Sequence, residues 1–225
     1  MKLISFSLWG SNPKYTVGAI KNAQLAREIY PGWICRFYCA NDVPNQIIFQ
    51  LEEMDNVQLI FMEKPGDWTS MFWRFEPAGE EDIEVVISRD TDSRLNDREK
   101  QAVDEWLLSD FGFHIMRDHP WHGYPVLGGM WGAKKGTIPN IKKLMTNFDQ
   151  TDRYGTDYSF FAQISESIRG NVMVHDEFFE NNQQLIKYQG CKPIPFPSPR
   201  IEKNFVGKPF ESDGSICLPE ADSVI

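Results

Sequence analysis

Apolar runs suited to strands alternate with helical segments along the first 95 residues, and no other property of the chain narrows its choice of fold so far. Residues 3–9 (LISFSLW) read as a strand, GSNPK as a loop, and residues 15–30 as a helix that Pro31 and Gly32 terminate. WICRFYCA gives a second strand, NDVP a turn, NQIIFQLEEM a short helix and VQLIFM a third strand. Strands and helices in this order predict a Rossmann-like α/β sheet. TSMFWRFEPA reads as a further helix, and IEVVIS is apolar enough for a strand covered on both faces.

The second half is less regular. Asn96 is placed to N-cap a helix over NDREKQAVDEWLLS, with Glu99 as its capping-box partner. FHIMRDHPWHGYP offers a short strand and a loop crowded with histidines and aromatics, and VLGGMWGAKKG a strand broken by its glycines. Thr156 caps a helix through DYSFFAQISESI, and NVMVHDEFF supplies a last strand ending at His175. From about residue 181 the composition turns to proline, polar residues and isolated aromatics, which predicts an irregular tail.

At 225 residues, with 41% hydrophobic and 24% charged side chains, the chain suits one soluble globular domain. Its formal charge of -9 argues against a nucleic-acid backbone or an anionic membrane as partner, and a small anionic ligand would need a local cation. An aromatic content of 13% suggests stacking surfaces as well as core. The four cysteines fall in no paired metal spacing; Cys35 and Cys39 share one face of their strand and read as buried free thiols. No stretch approaches a membrane span and MKLISFSLWG is too short for a signal sequence, so a cytoplasmic location is expected.

The strand IEVVIS runs straight into RDTDSR. With 16 aspartates in the chain, an Asp-x-Asp triplet arises by chance about once, and as turn residues Asp90 and Asp92 would need no further role. Position gives the triplet weight, because ligands of open α/β sheets bind in the crevice beyond the carboxyl ends of the strands. Carboxylates at i and i+2 of an extended segment project to one side and can converge on a hard divalent cation that keeps positions open for phosphate oxygens. Departure of a diphosphate is the chemistry such a site serves. Arg74, just upstream, is a candidate second cation or else a helix arginine in a salt link.

The order of ISFSLWG and a helix, an arginine-bearing helix, VVISRDTDSR, LGGMWG and then YGTD heading a helix resembles the GT-A-fold, DxD-containing glycosyltransferases that use nucleotide-sugars, especially small single-domain bacterial and viral members. It spans about residues 3–180. The resemblance implies a GT-A-like, Rossmann-type domain with a central mixed, mostly parallel sheet flanked by helices. Residues 1–95 would form the nucleotide-binding half, 96–180 the acceptor and donor-sugar half, and 181–225 the tail. It further implies that Ser7, Leu8, Trp9 and Gly10 line the base and ribose, and that Asp90, Thr91 and Asp92 meet manganese or magnesium and the diphosphate together with Arg74. His175 would supply a third metal ligand, and Gly128 and Gly129 would admit the donor sugar. Asp157 would face the reaction centre, with Asp176 and Glu177 as rival carboxylates for a base. Ordinary readings stand beside these: a core or capping histidine, glycines that pack against a strand, and a first-turn aspartate favoured by the helix dipole.

His119, Trp121, His122 and Tyr124 suit a donor-sugar or acceptor wall; a zinc site there lacks a cysteine or carboxylate partner at metal spacing. The tail reads NFVGKPF, with no histidine before its glycine. This departs from retaining relatives of the glycogenin type and leaves Lys208 as the tail's candidate for a phosphate contact. The expectation is therefore metal-dependent transfer of a sugar from a nucleoside diphosphate to an unidentified acceptor. The alternatives are a sugar-phosphate nucleotidyltransferase, for which GSNPK is a poor phosphate loop, and a non-catalytic carbohydrate-binding protein.

Overall fold

The computed structural model describes residues 1–201 and 204–217; the remainder of the tail expected over 181–225 lies outside the described residues. The strands are β1 (Lys2–Leu8), β2 (Ile34–Cys39), β3 (Val57–Phe61), β4 (Val85–Ser88), β5 (Phe113–Arg117), β6 (Trp131–Lys134) and β7 (Val172–Asp176). Among the described residues they form a seven-stranded sheet in the order β3-β2-β1-β4-β6-β5-β7. Only β6 runs against its neighbours, β4 and β5; every other pairing is parallel. The sheet is thus mixed and mostly parallel, and the carboxyl ends of β1, β4, β5 and β7 share one edge.

Alternation along the strands splits the core in two. Leu3 and Val86 face one layer, built on Phe75, Trp131, Phe160 and Phe161; Ile4, Val85 and Ile87 face the other, with Ala19, Ala23 and Ala26 of helix α1 (Pro13–Ile29). Each fully buried phenylalanine contributes about 1.5–3 kcal/mol. Cys35 and Cys39 lie buried beside Phe37 on the α1 side, and burial pushes both thiols up to about 12.

Helices α2 (Asn45–Glu52), α3 (Asp97–Leu108), α4 (Ile141–Asn147), α5 (Thr156–Ile168) and α6 (Gln183–Gln189) complete the layers, of which α4 and α6 carry no clear signal in the sequence. The segment Trp68–Gly79 is a 3₁₀ helix capped by Asp67. Three residues per turn stack Phe72, Phe75 and Ala78 on the core side and Trp68, Met71 and Arg74 on a second face, about 120° round the helix, that meets the cavity. An α-helix would swing residue 74 about 120° away from residue 68.

Two expected caps differ in detail. Asn96 accepts the Glu99 N–H at 3.0 Å, but the Glu99 carboxylate does not return to the cap, because Arg89 Nε (3.1 Å) and the Tyr30 hydroxyl (3.0 Å) take it. At α5 the cap is Gly155, at φ +81°, and Thr156 begins the helix instead.

Candidate active site

The triplet forms a turn rather than an extended run. The Asp90 carbonyl accepts the Ser93 N–H at 3.3 Å and the Ser93 hydroxyl at 2.8 Å. The two flanking arginines serve the backbone. Arg89 is buried and turns back to Glu99 and the Ser88 and Trp131 carbonyls, whereas Arg94 donates to the carbonyls of Thr91 (3.3 Å) and Ser93 (2.7 Å).

Helix α1 braces the same turn from the other side. A β-carbon on Gly18 would lie 2.0 Å from the Thr91 carbonyl, so only glycine lets the helix approach this closely. One turn later the buried Asn22 amide donates to the Thr91 (3.3 Å) and Ser93 (2.9 Å) carbonyls, and its Oδ1 accepts the Leu95 N–H at 3.1 Å. Asn22 thereby matches three turn groups that would otherwise compete for partners away from water.

This turn brings both carboxylates to one cavity of about 610 Å³ at the carboxyl edge of the sheet. Each faces its own cation. Arg74 Nη1 donates to the Asp90 carboxylate and, at 3.1 Å, to the Arg89 carbonyl; Lys14 Nζ lies 3.2 Å from Asp92 Oδ2. Asp90 remains half open, its side chain 49% exposed, whereas Asp92 is mostly enclosed. Burial, then the neighbouring Asp90, push the Asp92 carboxyl up against the pull of Lys14.

The third carboxylate comes from the other half of the chain. Asp157, in the first turn of α5, is 5% exposed, and its Oδ2 stands 3.9 Å from Arg74 Nη2. Burial pushes this carboxyl up and Arg74 draws it back, with Asp90 adding to the rise. Arg74 thus sits between Asp90 and Asp157. The Gly128–Gly129 backbone lies against both acids, and Ser88 Oγ fixes it by donating to the Gly128 carbonyl at 2.7 Å.

Of the remaining expected residues, Ser7, Trp9 and Thr91 line the cavity, as do Trp121 and His122. Ser7 serves mainly as a strut: its hydroxyl accepts the Arg74 N–H and donates to the Met71 carbonyl. Leu8 points into the α1 core, and Gly10 donates its N–H to Asp42 at 2.9 Å. His175 is fully buried elsewhere, with Nδ1 2.8 Å from His114 Nε2 and Nε2 3.3 Å from Glu105. β6 and β5 intervene between β4 and β7, setting the strand of His175 about 14 Å from that of the triplet. Asp176 is also removed from the cavity; it pairs with the equally buried Arg117 at 2.6 Å and accepts the Phe178 and Phe179 N–H groups. Glu177 holds Arg98 at 3.1 Å. Among the described residues no group of three or more His, Cys, Asp or Glu side chains is arranged to hold a metal.

Lys14, Met71, Trp68, Tyr154, Tyr158 and the tail residues Phe205, Gly207 and Pro209 also line the cavity and were not legible as site residues. The tail reaches it because Asp118, wholly buried, takes Arg98 (2.9 and 3.0 Å), Arg200 (2.8 Å) and the Val206 N–H (2.9 Å). Phe210 then donates its N–H to the Asp92 carbonyl at 2.8 Å. Lys208 is buried, its ammonium against the rings of Phe205 and Phe210. Among the described residues no helix is long and apolar enough to cross a membrane.

No family model and no curated protein sequence matches the chain. Solved structures do. The galactosyltransferase LgtC, in complex with donor and acceptor sugar analogues, is 12% identical over 88% of this chain and 88% of its own, at a TM-score of 0.53. The mannosyltransferase PcManGT of Pyrobaculum calidifontis, with GDP-Man and Mn2+, is 14% identical over 83% of this chain and 59% of its own, at 0.52. A 4-diphosphocytidyl-2C-methyl-D-erythritol synthase of Anaerococcus prevotii is 15% identical over 84% of this chain and 95% of its own, at 0.50. At these identities the likeness is one of architecture, and with its mixed seven-stranded sheet the chain has the GT-A-like fold of glycosyltransferases.

Proposed function

We propose that this chain is a glycosyltransferase that moves a sugar from a nucleoside diphosphate donor to an acceptor hydroxyl. One observation carries the reading: a single cavity beyond β4 gathers Asp90 and Asp92, a cation for each, and Asp157 across Arg74. A simple binding site for a neutral sugar would need neither the paired acids nor the two cations.

The donor set fits manganese or magnesium. Two hard carboxylate oxygen donors suffice where substrate phosphates complete the coordination, and Asp90 keeps an open face toward the cavity, its side chain half exposed. Asp90 and Asp92 would hold the ion, which when bound neutralises charge on a departing diphosphate. Arg74 and Lys14 balance the two acids and present positive charge where phosphate oxygens would lie. Trp9 offers a ring to the nucleoside, and the Gly128–Gly129 backbone seats the carboxylates of Asp157 and Asp90. We assign Asp157 as the carboxylate that receives the acceptor's proton, since it is enclosed, raised in pKa and faces the same cavity.

A thermal-shift panel tests this, with nucleoside diphosphates, triphosphates and diphosphate-sugars each added with and without Mn2+. At a hundredfold excess over Kd a ligand adds about 2.7 kcal/mol, a rise of roughly 5–11 °C for a chain of this size. A Mn2+-dependent rise with diphosphate-sugars supports transfer. A larger rise with triphosphates favours a nucleotidyltransferase, and none with any nucleotide leaves a carbohydrate-binding protein.

A further inference from the structure

Five aromatic rings touch in series, four of them lining this cavity and the fifth, Tyr124, stacked beyond it. Trp9 meets Trp68 edge-on at 6.3 Å between centroids, Trp68 meets Tyr154 at 5.4 Å, Tyr154 meets Tyr158 at 6.4 Å, and Tyr158 stacks on Tyr124 at 4.3 Å. They come from four distant pieces of chain: the end of β1, the start of the 3₁₀ helix, the N-terminus of α5 and the loop between β5 and β6. Trp68 is 38% exposed, Tyr124 50% and Tyr154 72%. Single exposed aromatics need no explanation, but a contiguous row drawn from four segments and bordering a cavity that holds three carboxylates marks a binding surface.

We propose that the outer part of this row, Trp68, Tyr154, Tyr158 and Tyr124, is the acceptor subsite, with Trp9 left to the nucleoside, and that it takes a neutral pyranose ring of a saccharide. The inference rests on the transferase reading and names its acceptor class. A pyranose presents a flat patch of C–H groups to an aromatic face and hydroxyls at its edge, which match the apolar body and polar tip of tyrosine and tryptophan. The row also adjoins Asp157: Tyr154 lies three residues before it and Tyr158 follows it directly, so a ring stacked there lies beside the carboxylate assigned to take the acceptor's proton. The diphosphate end of the donor is accounted for by Arg74 and Lys14 on the triplet side, leaving the exposed tyrosines to a second substrate. The chain's net charge of -9 disfavours acidic or phosphorylated acceptors, and no cation belongs to the row.

Saturation-transfer NMR on the full chain tests this with lactose, cellobiose and maltose as probes and acyclic sorbitol as the control. At least one disaccharide should receive saturation at its ring C–H protons well above sorbitol, and Tyr154→Ala and Tyr124→Ala should each weaken its binding about two- to tenfold. Both side chains are exposed, so neither change threatens the core. The inference is overturned if no disaccharide exceeds sorbitol, or if both variants bind like the unaltered protein. The nucleotide panel on the unaltered protein separates the two readings. Nucleotide binding without saccharide binding sinks this inference alone, and saccharide binding without nucleotide binding upholds the platform and sinks the transferase.

Discussion

Gly129 brings its backbone so near the Asp90 carboxylate that a β-carbon there would stand 2.0 Å from Oδ2. Gly128 stands in the same relation to Asp157, 2.0 Å from its Oδ2, and the added carbon would lie 2.7 Å from Arg74 Nη2. The two glycines form the surface against which the acids from both halves of the chain rest, so their side-chain-free backbone shapes the site directly.

Gly129→Ala therefore cannot be absorbed without moving Asp90 or the turn at 127–130. We expect a destabilisation of about 1–3 kcal/mol in chemical denaturation, the usual cost of overpacking. The Mn2+-dependent nucleotide shift should disappear in the same variant. Full retention of that shift would show that Asp90 does not need its present position.

Asp92→Asn should separate stability from function. The Asp92 carboxyl is held above its ordinary value by burial and by Asp90, so its ionised form costs the fold free energy at neutral pH. Such a group contributes most below its unfolded value of about 3.9, and that contribution is lost as pH rises through the folded value. Removing the charge should raise Tm at pH 7 without metal by about 2–4 °C, equivalent to about 1 kcal/mol, net of the lost Lys14 contact. The gain should shrink as pH falls towards about 4, while Mn2+-dependent nucleotide binding is lost at every pH. A fall in Tm at pH 7 would mean that the Lys14 pair outweighs the repulsion.

Asn22→Ala tests the brace behind the turn. Arg94 also serves the Thr91 and Ser93 carbonyls, so the variant orphans chiefly the buried Leu95 N–H. The expected cost is about 1–3 kcal/mol, read from denaturation midpoints. Nucleotide affinity should fall as well, although Asn22 does not line the cavity, because the turn that aims both aspartates loses its hold. Unaltered affinity would locate the stiffness of the turn elsewhere.

Two buried histidines, His114 and His175, and the partly exposed His122 set the acid limb of the stability profile. Burial lowers His114 far below its ordinary value, lowers His175, and takes His122 down to about 3. The unfolded chain takes up these protons near pH 6.5 and the folded chain does not, so stability is complete above that value and declines as pH falls through it towards the folded values. The slope should reach at most about 1.4 kcal/mol per pH unit for each histidine. Urea midpoints measured from pH 8 to 5 check this, with His114→Gln giving a shallower limb; a flat profile in the unaltered protein would contradict it.

Much of the first half was legible because its signals are local. Residues 85–88 are apolar on both faces and run into the triplet, and that alone places Asp90 and Asp92 at the carboxyl edge of a covered strand. The turn at 90–93 was less legible. An extended i, i+2 pair and a turn both present two acids, and the hydrogen bonds that select the turn come from Asn22 and Arg94. The segment 68–79 reads as helical, yet its 3₁₀ pitch, which sends Arg74 to Asp90 and Phe75 to the core, follows from packing on both sides.

By itself the sequence determined the alternation of strands and helices, the covered faces of β4, and the placing of acids at a strand end, because hydrophobic periodicity and capping act over a few residues. Only the tertiary structure decided which cations meet those acids, that Asp157 joins them, and that His175 and Asp176 do not. Those outcomes depend on the order β4-β6-β5-β7 and on the approach of α1 through Gly18. Strand order and helix approach are set by contacts between segments tens of residues apart, and no local pattern in the chain encodes such contacts.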